Sequence, residues 1–341
     1  MERIKQAITL DIVIPVHNEE KVLDLLFQKL QVVFSSETQR KHGLKSVRYL
    51  LIDDGSKDQS ANIVCRHIAS GIPATLYRLS RRFGHQNAVS AGFEKSNADV
   101  IACIDADLQD PPEVILEMIA KWRQGYDVVY GQRQKRKENF IKVAGYWLFY
   151  RLLAYLSEID IPLDSGDFSL MDRKVAQALC ALPERIRFPR VLRAWIGFKQ
   201  IGVSYERGMR AAGTPKYTLA SLYRLATDGV ASASIRPLQM SQVFSFCYLL
   251  LVITLVTAFT LKLKPYLEAK NEMALWFLFS YVLIAMGSFV QIFCTYIMSA
   301  YLGRAYIEIK GRPSYLIMEE INKDNVHIQS LADGKREFAT K

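Results

Sequence analysis

The sequence is poor in cysteine, and the few cysteines that it has are far apart. They stand at positions 65, 103, 180, 247 and 294, and no Cys-x-x-Cys pair occurs. This spacing predicts reduced, mostly buried thiols and argues against a disulfide framework or a zinc knuckle. The first apolar run is not followed by Gly-x-Gly-x-x-Gly, which disfavours a Rossmann dehydrogenase. Residues Met1–Ile8 are polar and charged, which argues against a signal peptide.

Acidic residues are outnumbered by basic ones. The 341 residues include 44 Lys and Arg against 34 Asp and Glu, a net charge of +10. This excess favours anionic partners such as nucleotide diphosphates, lipid phosphates or an anionic membrane surface. Nucleic acid is the rival partner, but the sequence has no aromatic RNA-binding signature, so we do not expect it. A chain of this length can hold one large domain and a smaller second part.

Residues 10–132 alternate short apolar runs with amphipathic stretches that have helical spacing. The runs are Leu10–Pro15, Tyr49–Ile52, Ala74–Leu79, Val100–Ile104 and Val128–Tyr130. Val22–Phe34 is typical of the helical stretches between them. The alternation predicts a mainly parallel sheet with helices on both faces, in which ligands bind beyond the carboxyl ends of the strands. Residues 139–182 are predicted to be helical, with a break around Pro162–Phe168.

The most informative segment reads Asp-Ala-Asp-Leu-Gln-Asp-Pro-Pro-Glu at residues 105–113, directly after an apolar run. Asp105 and Asp107 leave the predicted strand end two residues apart, and Gln109 adds an amide oxygen two residues further on. Hard oxygen ligands so close together suit Mg²⁺ or Mn²⁺ that carries a diphosphate. A bare Asp-x-Asp is usually only an acidic turn, but the nine-residue string in this position favours a metal–diphosphate site.

Two long runs contain no charged residue. Val243–Leu261 is uncharged over 19 positions and Met273–Gly303 over 31, and the shorter run would form about 28 Å of helix. Buried core helices are the alternative, but this length favours two transmembrane helices. The intervening Lys262–Glu272 would be a short polar loop, and Thr218–Ile235 would lie as a helix on the membrane surface.

Several of these segments together resemble glycosyltransferase family 2. The string at 105–113 is similar to the family's metal-binding segment, and Tyr301–Glu319 resembles the tail after the second span of the bactoprenol glucosyltransferases. More narrowly, the chain resembles the polyprenyl-phosphate sugar transferases related to dolichol-phosphate mannose synthase, from about Asp11 to Asn322. The resemblance implies an α/β fold of the GT-A type, Rossmann-like with a mainly parallel sheet, followed by two transmembrane helices.

The resemblance also implies a nucleotide-sugar site at the predicted strand ends. The residues implied to bind the nucleotide sugar are Pro15, His17, Glu19, Ile52, Asp53, Asp54, Asp105, Ala106, Asp107, Arg133, Arg210 and Lys216. Asp107 and Gln109 are implied to hold Mg²⁺ or Mn²⁺, and Arg133 to meet the phosphates as a bidentate donor. His17 stands where the family usually has tyrosine, which leaves base stacking there open. The acidic pair after the second strand could instead form a helix N-cap turn.

Two further segments resemble family motifs nearer to the reacting sugar. The segment around Asp167 is similar to Gly-Asp-Phe-Arg-Leu and implies a role beside the sugar, although Ser169 replaces the usual arginine. Arg210 and Lys216 match a pair of cations six residues apart in the family, which would neutralise donor and acceptor phosphates. Pro215 departs from the usual serine or threonine of that segment. An acidic turn and a solvated basic loop are the structural alternatives.

Other basic residues are assigned less closely. The run Arg133–Lys137 is either a solvated loop or a mobile loop that grips phosphates. Arg187, Arg190 and Arg193 are interpreted as acceptor-side or membrane-facing charge.

The expected reaction is the inverting transfer of one hexosyl group from a nucleotide sugar to polyprenyl (undecaprenyl) phosphate. Asp107, Asp167 and Arg133 are the expected catalytic residues, and UDP-glucose is the first choice of donor, ahead of UDP-GlcNAc and GDP-mannose. A processive polysaccharide synthase is a second hypothesis, disfavoured because no Gln-x-x-Arg-Trp segment occurs and only two spans are predicted. A non-catalytic membrane scaffold is a third, disfavoured by the intact acidic and basic sets.

The expected organisation places the catalytic domain in the cytoplasm and anchors it in the inner (plasma) membrane. The predicted parts are a catalytic domain over 1–217, juxtamembrane helices over 218–240, a two-helix anchor over 241–303 with spans at about 243–263 and 276–300, and a cytoplasmic tail over 304–341. Basic residues before the first span and after the second agree with this orientation, although the lysines of the intervening loop count slightly against it. The family resemblance also suggests a homo-oligomer.

Overall fold

The computed structural model of the chain describes residues 6–133, 165–208, 235–258, 261 and 273–326. These residues form an eight-stranded sheet with helices on both faces and two long apolar helices. The strands are β1 (Ile8–Val16), β2 (Leu44–Asp53), β3 (Ala74–Leu79), β4 (Val100–Cys103), β5 (Val128–Arg133), β6 (Ser165–Asp172), β7 (Gln200–Tyr205) and β8 (Ile317–Ile321). The helices are α1 (Leu23–Val33), α2 (Ser36–Lys41), α3 (Ser60–Ala69), α4 (His85–Lys95), α5 (Val114–Arg123), α6 (Arg173–Ala181), α7 (Pro189–Trp195), α8 (Arg236–Ala258) and α9 (Met273–Lys310).

The carboxyl ends of the parallel strands lie side by side along one edge of the sheet, together with the first residues of β6. We call this the shared edge. The order is β7–β5–β6–β4–β1–β2–β3–β8. Strands β1 to β5 and β7 all run in the same direction, whereas β6 is antiparallel to β4 and β5, and β8 is antiparallel to β3. Because β6 is reversed, its first residues lie where β4 and β5 end. In register, Ser169 faces Cys103 of β4, and Ser165 faces Gln132 of β5.

The central strand β1 is buried on both faces. Ile12 and Ile14 pack in the layer that contains α1, α3 and α5, and Val13 packs in the layer that contains α4, α6 and α7. Successive side chains alternate between the faces, so a strand covered on both sides reads as a continuous apolar run. Helix α4 lies very close to β1, because a Cβ added to Gly92 would stand 2.1 Å from Cγ1 of Val13. This close packing fixes α4, whose first residue, His85, faces the shared edge.

Helices α8 and α9 are long and apolar enough to cross a membrane, by length and composition. Their side chains are largely exposed, and the helices pack against each other. The Tyr248 hydroxyl donates a hydrogen bond to the carbonyl of Leu283 at 2.7 Å. The rings of Phe244 and Phe293 meet edge to face at 5.8 Å. The two helices thus form an antiparallel pair whose outer surface remains apolar.

The end of α9 is tied to the α/β domain. The Glu308 carboxylate accepts hydrogen bonds from the backbone N–H of Arg185 at 2.9 Å and of Ile186 at 3.0 Å. The hydroxyl of Ser314 donates to the carbonyl of Arg185 at 3.1 Å. The chain then forms β8, which pairs with β3 at the edge of the sheet. The tail therefore supplies a strand to the sheet of the α/β domain.

The five predicted strands are all present, but the prediction for residues 139–182 is partly wrong. Ser165–Asp172 is strand β6, in which Phe168 and Leu170 pack in one layer and Met171 in the other. Within the described residues of this segment, which begin at 165, the predicted helix starts at Arg173, as α6. Residues 134–164 and 209–234 lie outside the described part of the chain, so most of the predicted juxtamembrane segment is not described.

Candidate active site

A cleft of about 550 Å³ opens beyond the ends of β1, β2 and β3. Small-molecule sites typically enclose about 300–1,000 Å³. The cleft is lined by His17, Asn18, Asp53, Gly55, Ser56, Lys57, Arg78, Leu79, Ser80, Arg81, Arg82 and Met318. The structure thus brings His17 and Asp53, two of the predicted nucleotide-binding residues, into one concave wall together with several cations.

The loops after β1 and β2 hold each other in place. The Nδ1 atom of His17 lies 2.9 Å from the carbonyl oxygen of Asp54. The N–H of Asn18 donates to Oγ of Ser56 at 3.0 Å, and Oδ1 of Asn18 accepts from the N–H of Lys57 at 2.8 Å. Asn18 has a φ of 54°, in the left-handed region that asparagine tolerates better than most residues. These bonds fix the position of His17 at the mouth of the cleft.

The two carboxylates at the end of β2 have different surroundings. Asp54 is buried and accepts hydrogen bonds from the N–H groups of Phe83 at 2.6 Å and Gly84 at 3.0 Å. Burial raises the pKa of Asp54, against the effect of these N–H groups. Asp53 lines the cleft and accepts from the N–H of Ser56 at 2.9 Å. Asp54 therefore supports the turn that begins α4, whereas Asp53, although also buried, contributes to the wall of the cleft.

Four further predicted nucleotide-binding residues do not line the cleft and have limited side-chain access. Pro15 and Ile52 are neighbours in register on β1 and β2, and both are buried in the sheet. Ala106 is buried as well. Glu19 is half-buried, and its N–H donates to Oγ of Ser60 at 2.9 Å. At the first three positions a ligand could use the backbone but not the side chain.

A charged cluster forms where β4 ends and β6 begins. Nε2 of His85 lies 3.3 Å from Oδ2 of Asp167 and 3.7 Å from Oδ1 of Asp105. The side-chain amide of Gln86 donates to Oδ2 of Asp167 at 3.0 Å. Nε of Arg190, on α7, stands 4.0 Å from Oδ1 of Asp167. One imidazole thus bridges two of the carboxylates that the sequence pattern singled out.

The cluster shifts the ionisation of its members. Burial alone would lower the pKa of His85, but the hydrogen bond to Asp167 and the charge of Asp105 raise that pKa to about 9. Burial would raise the pKa of Asp167, yet His85 and Arg190 hold it below its usual range. Burial raises the pKa of Asp105 to about 6, although His85 opposes this rise. At neutral pH the cluster therefore holds a protonated imidazole against an ionised Asp167.

Asp107 and Gln109, the predicted metal ligands, share a tight turn after β4. Oδ1 of Asp107 accepts from the N–H of Gln109 at 3.1 Å, and Leu108 between them has a φ of 60°. The Gln109 amide nitrogen lies 3.5 Å from the carbonyl of Gly208, which leaves the amide oxygen as the atom that can bind a cation. Within the described ranges there is no group of three or more His, Cys, Asp or Glu placed to hold a metal. Asp107 and Gln109 would supply two oxygen ligands to a divalent cation, which would need further ligands from outside this pair.

Arg133 is positioned by a tyrosine and a buried carboxylate. Its Nε donates to the hydroxyl of Tyr205 at 3.4 Å, and that hydroxyl donates to Oδ1 of Asp110. Burial raises the pKa of Asp110, against the Tyr205 hydrogen bond. A Cβ on Gly131 would stand 2.7 Å from the ring of Phe168 and 2.8 Å from that of Tyr205, so this contact requires glycine. Arg133 is thereby held beside the Asp105–Asp110 turn.

The predicted cations Arg210 and Lys216 lie outside the described residues. The segment that leads to them is described as far as Gly208, whose N–H donates to the carbonyl of Gln109 at 2.9 Å. Nε of Arg207 lies 3.8 Å from Oδ1 of Asp110. The chain after β7 therefore runs against the Asp105–Asp110 turn before the predicted cations are reached.

The sequence reasoning missed four residues that shape this edge. They are His85, Gln86, Asp110 and Tyr205. The segment Arg-Arg-Phe-Gly-His-Gln-Asn at 81–87 follows β3, where a parallel sheet presents ligand-binding loops. Polar residues at this strand end were the available signal for His85 and Gln86. Asp110 stands inside the acidic string but was not distinguished from its neighbours.

Comparison with known proteins identifies one matching family and relatives that align with nearly the whole chain. Residues 11–180 match the family described as Glycosyl transferase family 2. The chain is 39% identical over 333 residues to the uncharacterized glycosyltransferase YkcC of Bacillus subtilis, covering 94% of this chain and 97% of that protein. It is 31% identical to the bactoprenol glucosyl transferase of Shigella phage SfV, covering 92% of this chain and 99% of that protein.

Among solved structures, the mannosyltransferase PcManGT from Pyrobaculum calidifontis, in complex with GDP-Man and Mn²⁺, aligns with a TM-score of 0.44 at 15% identity over 88% of each chain. The sequence relatives, which cover nearly the whole chain, are the basis for the family assignment. The predicted GT-A-like α/β fold followed by two apolar helices is confirmed. The chain belongs to glycosyltransferase family 2.

Proposed function

We propose that this protein transfers one hexosyl group from a nucleotide sugar to a polyprenyl phosphate at the cytoplasmic face of a membrane. The family membership and the relative named bactoprenol glucosyl transferase support this class of reaction. UDP-glucose is the proposed donor, and undecaprenyl phosphate is the proposed acceptor. UDP-GlcNAc and GDP-mannose are the alternative donors.

The observation that carries the proposal is the convergence of three features at one edge of the sheet. The cleft beyond β1 to β3 has the volume of a small-molecule site. The Asp107–Gln109 turn, which follows the neighbouring strand β4, offers hard oxygen ligands. The cluster of His85 and Asp167 stands where β6 begins, next to the end of β4. A nucleoside, a diphosphate and a sugar follow one another in the same order in a nucleotide sugar.

The donor would be held from its base to its leaving diphosphate. Asp53 and His17 would contact the nucleoside in the cleft. Asp107 and Gln109 would hold a Mg²⁺ or Mn²⁺ ion, which when bound neutralises charge on the leaving diphosphate. Arg133, aligned by Tyr205, would donate to a phosphate oxygen, because a guanidinium matches phosphate geometry with paired N–H groups.

The acceptor needs little activation, because a phosphate is already anionic at neutral pH. The site's main task is therefore to gather and orient anions, a form of electrostatic catalysis. Oδ1 of Asp167 is buried and has no hydrogen-bond partner in the described part of the chain. It would accept from a hydroxyl of the donor sugar, with His85 and Gln86 holding the other oxygen. A single displacement at the anomeric carbon would invert its configuration.

The two apolar helices would place this site at the membrane. Helices α8 and α9 would cross the inner (plasma) membrane as a pair, so that the domain before them and β8 after them lie on the same, cytoplasmic, side. Glu308, which binds the loop before α7, would set the distance between the membrane and the cluster at Asp167. The apolar outer surface of the helix pair would face lipid or further copies of the chain in a homo-oligomer.

The test is transfer by the purified full chain in lipid nanodiscs. Labelled UDP-glucose, UDP-GlcNAc and GDP-mannose are each incubated with undecaprenyl phosphate, with Mg²⁺, Mn²⁺ or EDTA, and the lipid product is resolved by chromatography. We expect one sugar per lipid, from UDP-glucose, and no product in EDTA or with Asp107→Asn. A polymer would support a processive synthase instead, and no lipid-linked product from any donor would refute the proposal.

A further inference from the structure

We propose that Glu319 of β8 is a positioning residue for nucleotide binding, because it holds Arg78 against Asp53 in the wall of the cleft. This role rests on the proposed nucleotide-sugar donor. It assigns part of the donor site to the chain that follows the second apolar helix. The segment that returns from the membrane would thus complete the site at the opposite end of the sheet from Arg133.

Strand β8 is joined to β3 by backbone and side-chain contacts. The two strands are antiparallel, and Glu319 lies opposite Arg78 in the register. Just before β8, the carbonyl of Leu316 accepts a hydrogen bond from the N–H of Ser80 at 2.9 Å. Met318 of β8 lines the cleft itself. The tail is therefore part of the cleft wall as well as a cover for the sheet edge.

The charges connect the tail to the predicted nucleoside ligand. Nη1 of Arg78 lies 2.8 Å from Oε2 of Glu319, and its Nε lies 3.7 Å from Oδ2 of Asp53. Asp53 is 2% exposed, whereas Arg78 is 34% and Glu319 46% exposed. A buried carboxylate depends on a well-placed partner, since its desolvation is costly. Nε of Arg78 has no hydrogen bond in the described part of the chain, so the contact with Glu319 is the one that aims the guanidinium.

The expected consequence is a change in donor affinity without a change in the chemical step. Losing Glu319 would release Arg78, which lines the cleft, from its present orientation and would leave Asp53 less firmly placed. Because ion pairs this exposed contribute little free energy, we expect the affinity for the donor to fall only about two- to fivefold. The acceptor side lies beyond β4 and β6, far from β8 in the strand order, so its affinity should be unaffected.

The chain offers a matched control on the same strand. Glu320 follows Glu319 directly but belongs to the opposite face, where the hydroxyl of Tyr77 donates to its Oε1 at 3.5 Å. Glu320→Gln therefore removes the same charge from β8 without touching the cleft wall. Glu319→Asp keeps the charge on a shorter side chain and should give an intermediate result if Glu319→Gln proves unstable.

The experiment uses the full chain in nanodiscs and measures UDP binding with Mn²⁺ by calorimetry, with transfer kinetics beside it. We expect Glu319→Gln to raise the Kd for UDP and the KM for the donor by the same two- to fivefold factor. The kcat and the KM for undecaprenyl phosphate should stay at wild-type values, as should every constant of Glu320→Gln. In an Arg78→Gln background, Glu319→Gln should have no further effect, because Glu319 acts through Arg78.

The possible failures can be told apart. Wild-type UDP affinity in Glu319→Gln, or an undiminished effect in the Arg78→Gln background, would overturn the role of Glu319 and leave the proposed function intact. A fall in kcat alone would overturn it too. If the wild-type chain bound neither UDP nor GDP, the proposed function would fail, and the role of Glu319 with it.

Discussion

Replacing His85 by glutamine should slow sugar transfer about ten- to hundredfold. Nε2 of His85 lies 3.3 Å from Asp167 and 3.7 Å from Asp105, so the protonated imidazole offsets two carboxylates. Glutamine keeps a hydrogen-bond donor but removes the charge. Losing a charge-assisted hydrogen bond costs about 1.5–3 kcal/mol, and each 1.4 kcal/mol or so is a factor of ten in rate. Because His85 is 34% exposed, we expect the lower part of this range.

The same substitution should change the alkaline side of the pH profile. The pKa of His85 is raised from 6.5 to about 9, so the wild-type imidazole is protonated at neutral pH and loses its proton as the pH rises through 9. The free energy of unfolding that the protonated imidazole contributes is fully present below pH 6.5 and is lost as the pH rises from 6.5 to about 9. Wild-type transfer should therefore fall near pH 9, and the fall should be absent from His85→Gln.

The assay is the initial rate of lipid glycosylation across this interval, with melting temperature measured on the same samples. His67→Gln is the matched control, because His67 pairs with Asp24 at 2.7 Å on α3 and α1, away from the shared edge. Its rate should equal the wild-type rate at every pH. A His85→Gln enzyme with a wild-type rate and an unchanged alkaline limb would refute the role of the imidazole.

Three further predictions concern the carboxylates, the cations and the membrane. Asp107→Ala should lose Mn²⁺-dependent UDP binding and transfer together, whereas Asp167→Ala should bind UDP and Mn²⁺ yet transfer poorly; calorimetry that gave the opposite pattern would exchange their roles. Arg210→Ala and Lys216→Ala should each slow transfer about ten- to hundredfold with unchanged melting temperature, because charge-assisted contacts to phosphate contribute about 1.5–3 kcal/mol, and wild-type rates with subsaturating donor and lipid would exclude them from the site. A cysteine introduced within 262–272 should react with a membrane-impermeant reagent added to intact cells and one in the catalytic domain should not; reversed labelling would overturn the orientation.

The sequence predicted the centre of the fold well because buried parallel strands have a strong pattern. The run Val100–Ile104 is apolar throughout since both faces of β4 are covered, and the acidic string after it marks the strand end. Strand β6 was not predicted, because Gly166, Asp167 and Ser169 interrupt its apolar residues. Such an interrupted pattern is also typical of a break between two helices. Only its pairing with β4 and β5 makes it a strand, and that pairing is not local information.

The least predictable parts of the site depend on contacts between distant segments. His85 reads as a turn residue until β6 brings Asp167 beside it. Strand β8 has the sequence Ile-Met-Glu-Glu-Ile, too short and too acidic to be assigned as a strand by its own pattern. It is stabilised by its antiparallel partner β3, which lies at the other end of the chain.

Because β8 follows both apolar helices in the chain, the sheet can be completed only after these helices have been synthesised. While α8 and α9 are being synthesised, β3 is an edge strand whose backbone groups have no partner from β8, and such edges invite pairing with other chains. Strand β8 can pair with β3 only after both helices have been synthesised. In the proposed orientation, this pairing further requires that the chain has crossed the bilayer twice and re-emerged on its original side. A chain that failed to insert one helix would leave β3 without its partner β8. Correct membrane insertion and completion of the cleft would therefore be reached in the same step of biogenesis.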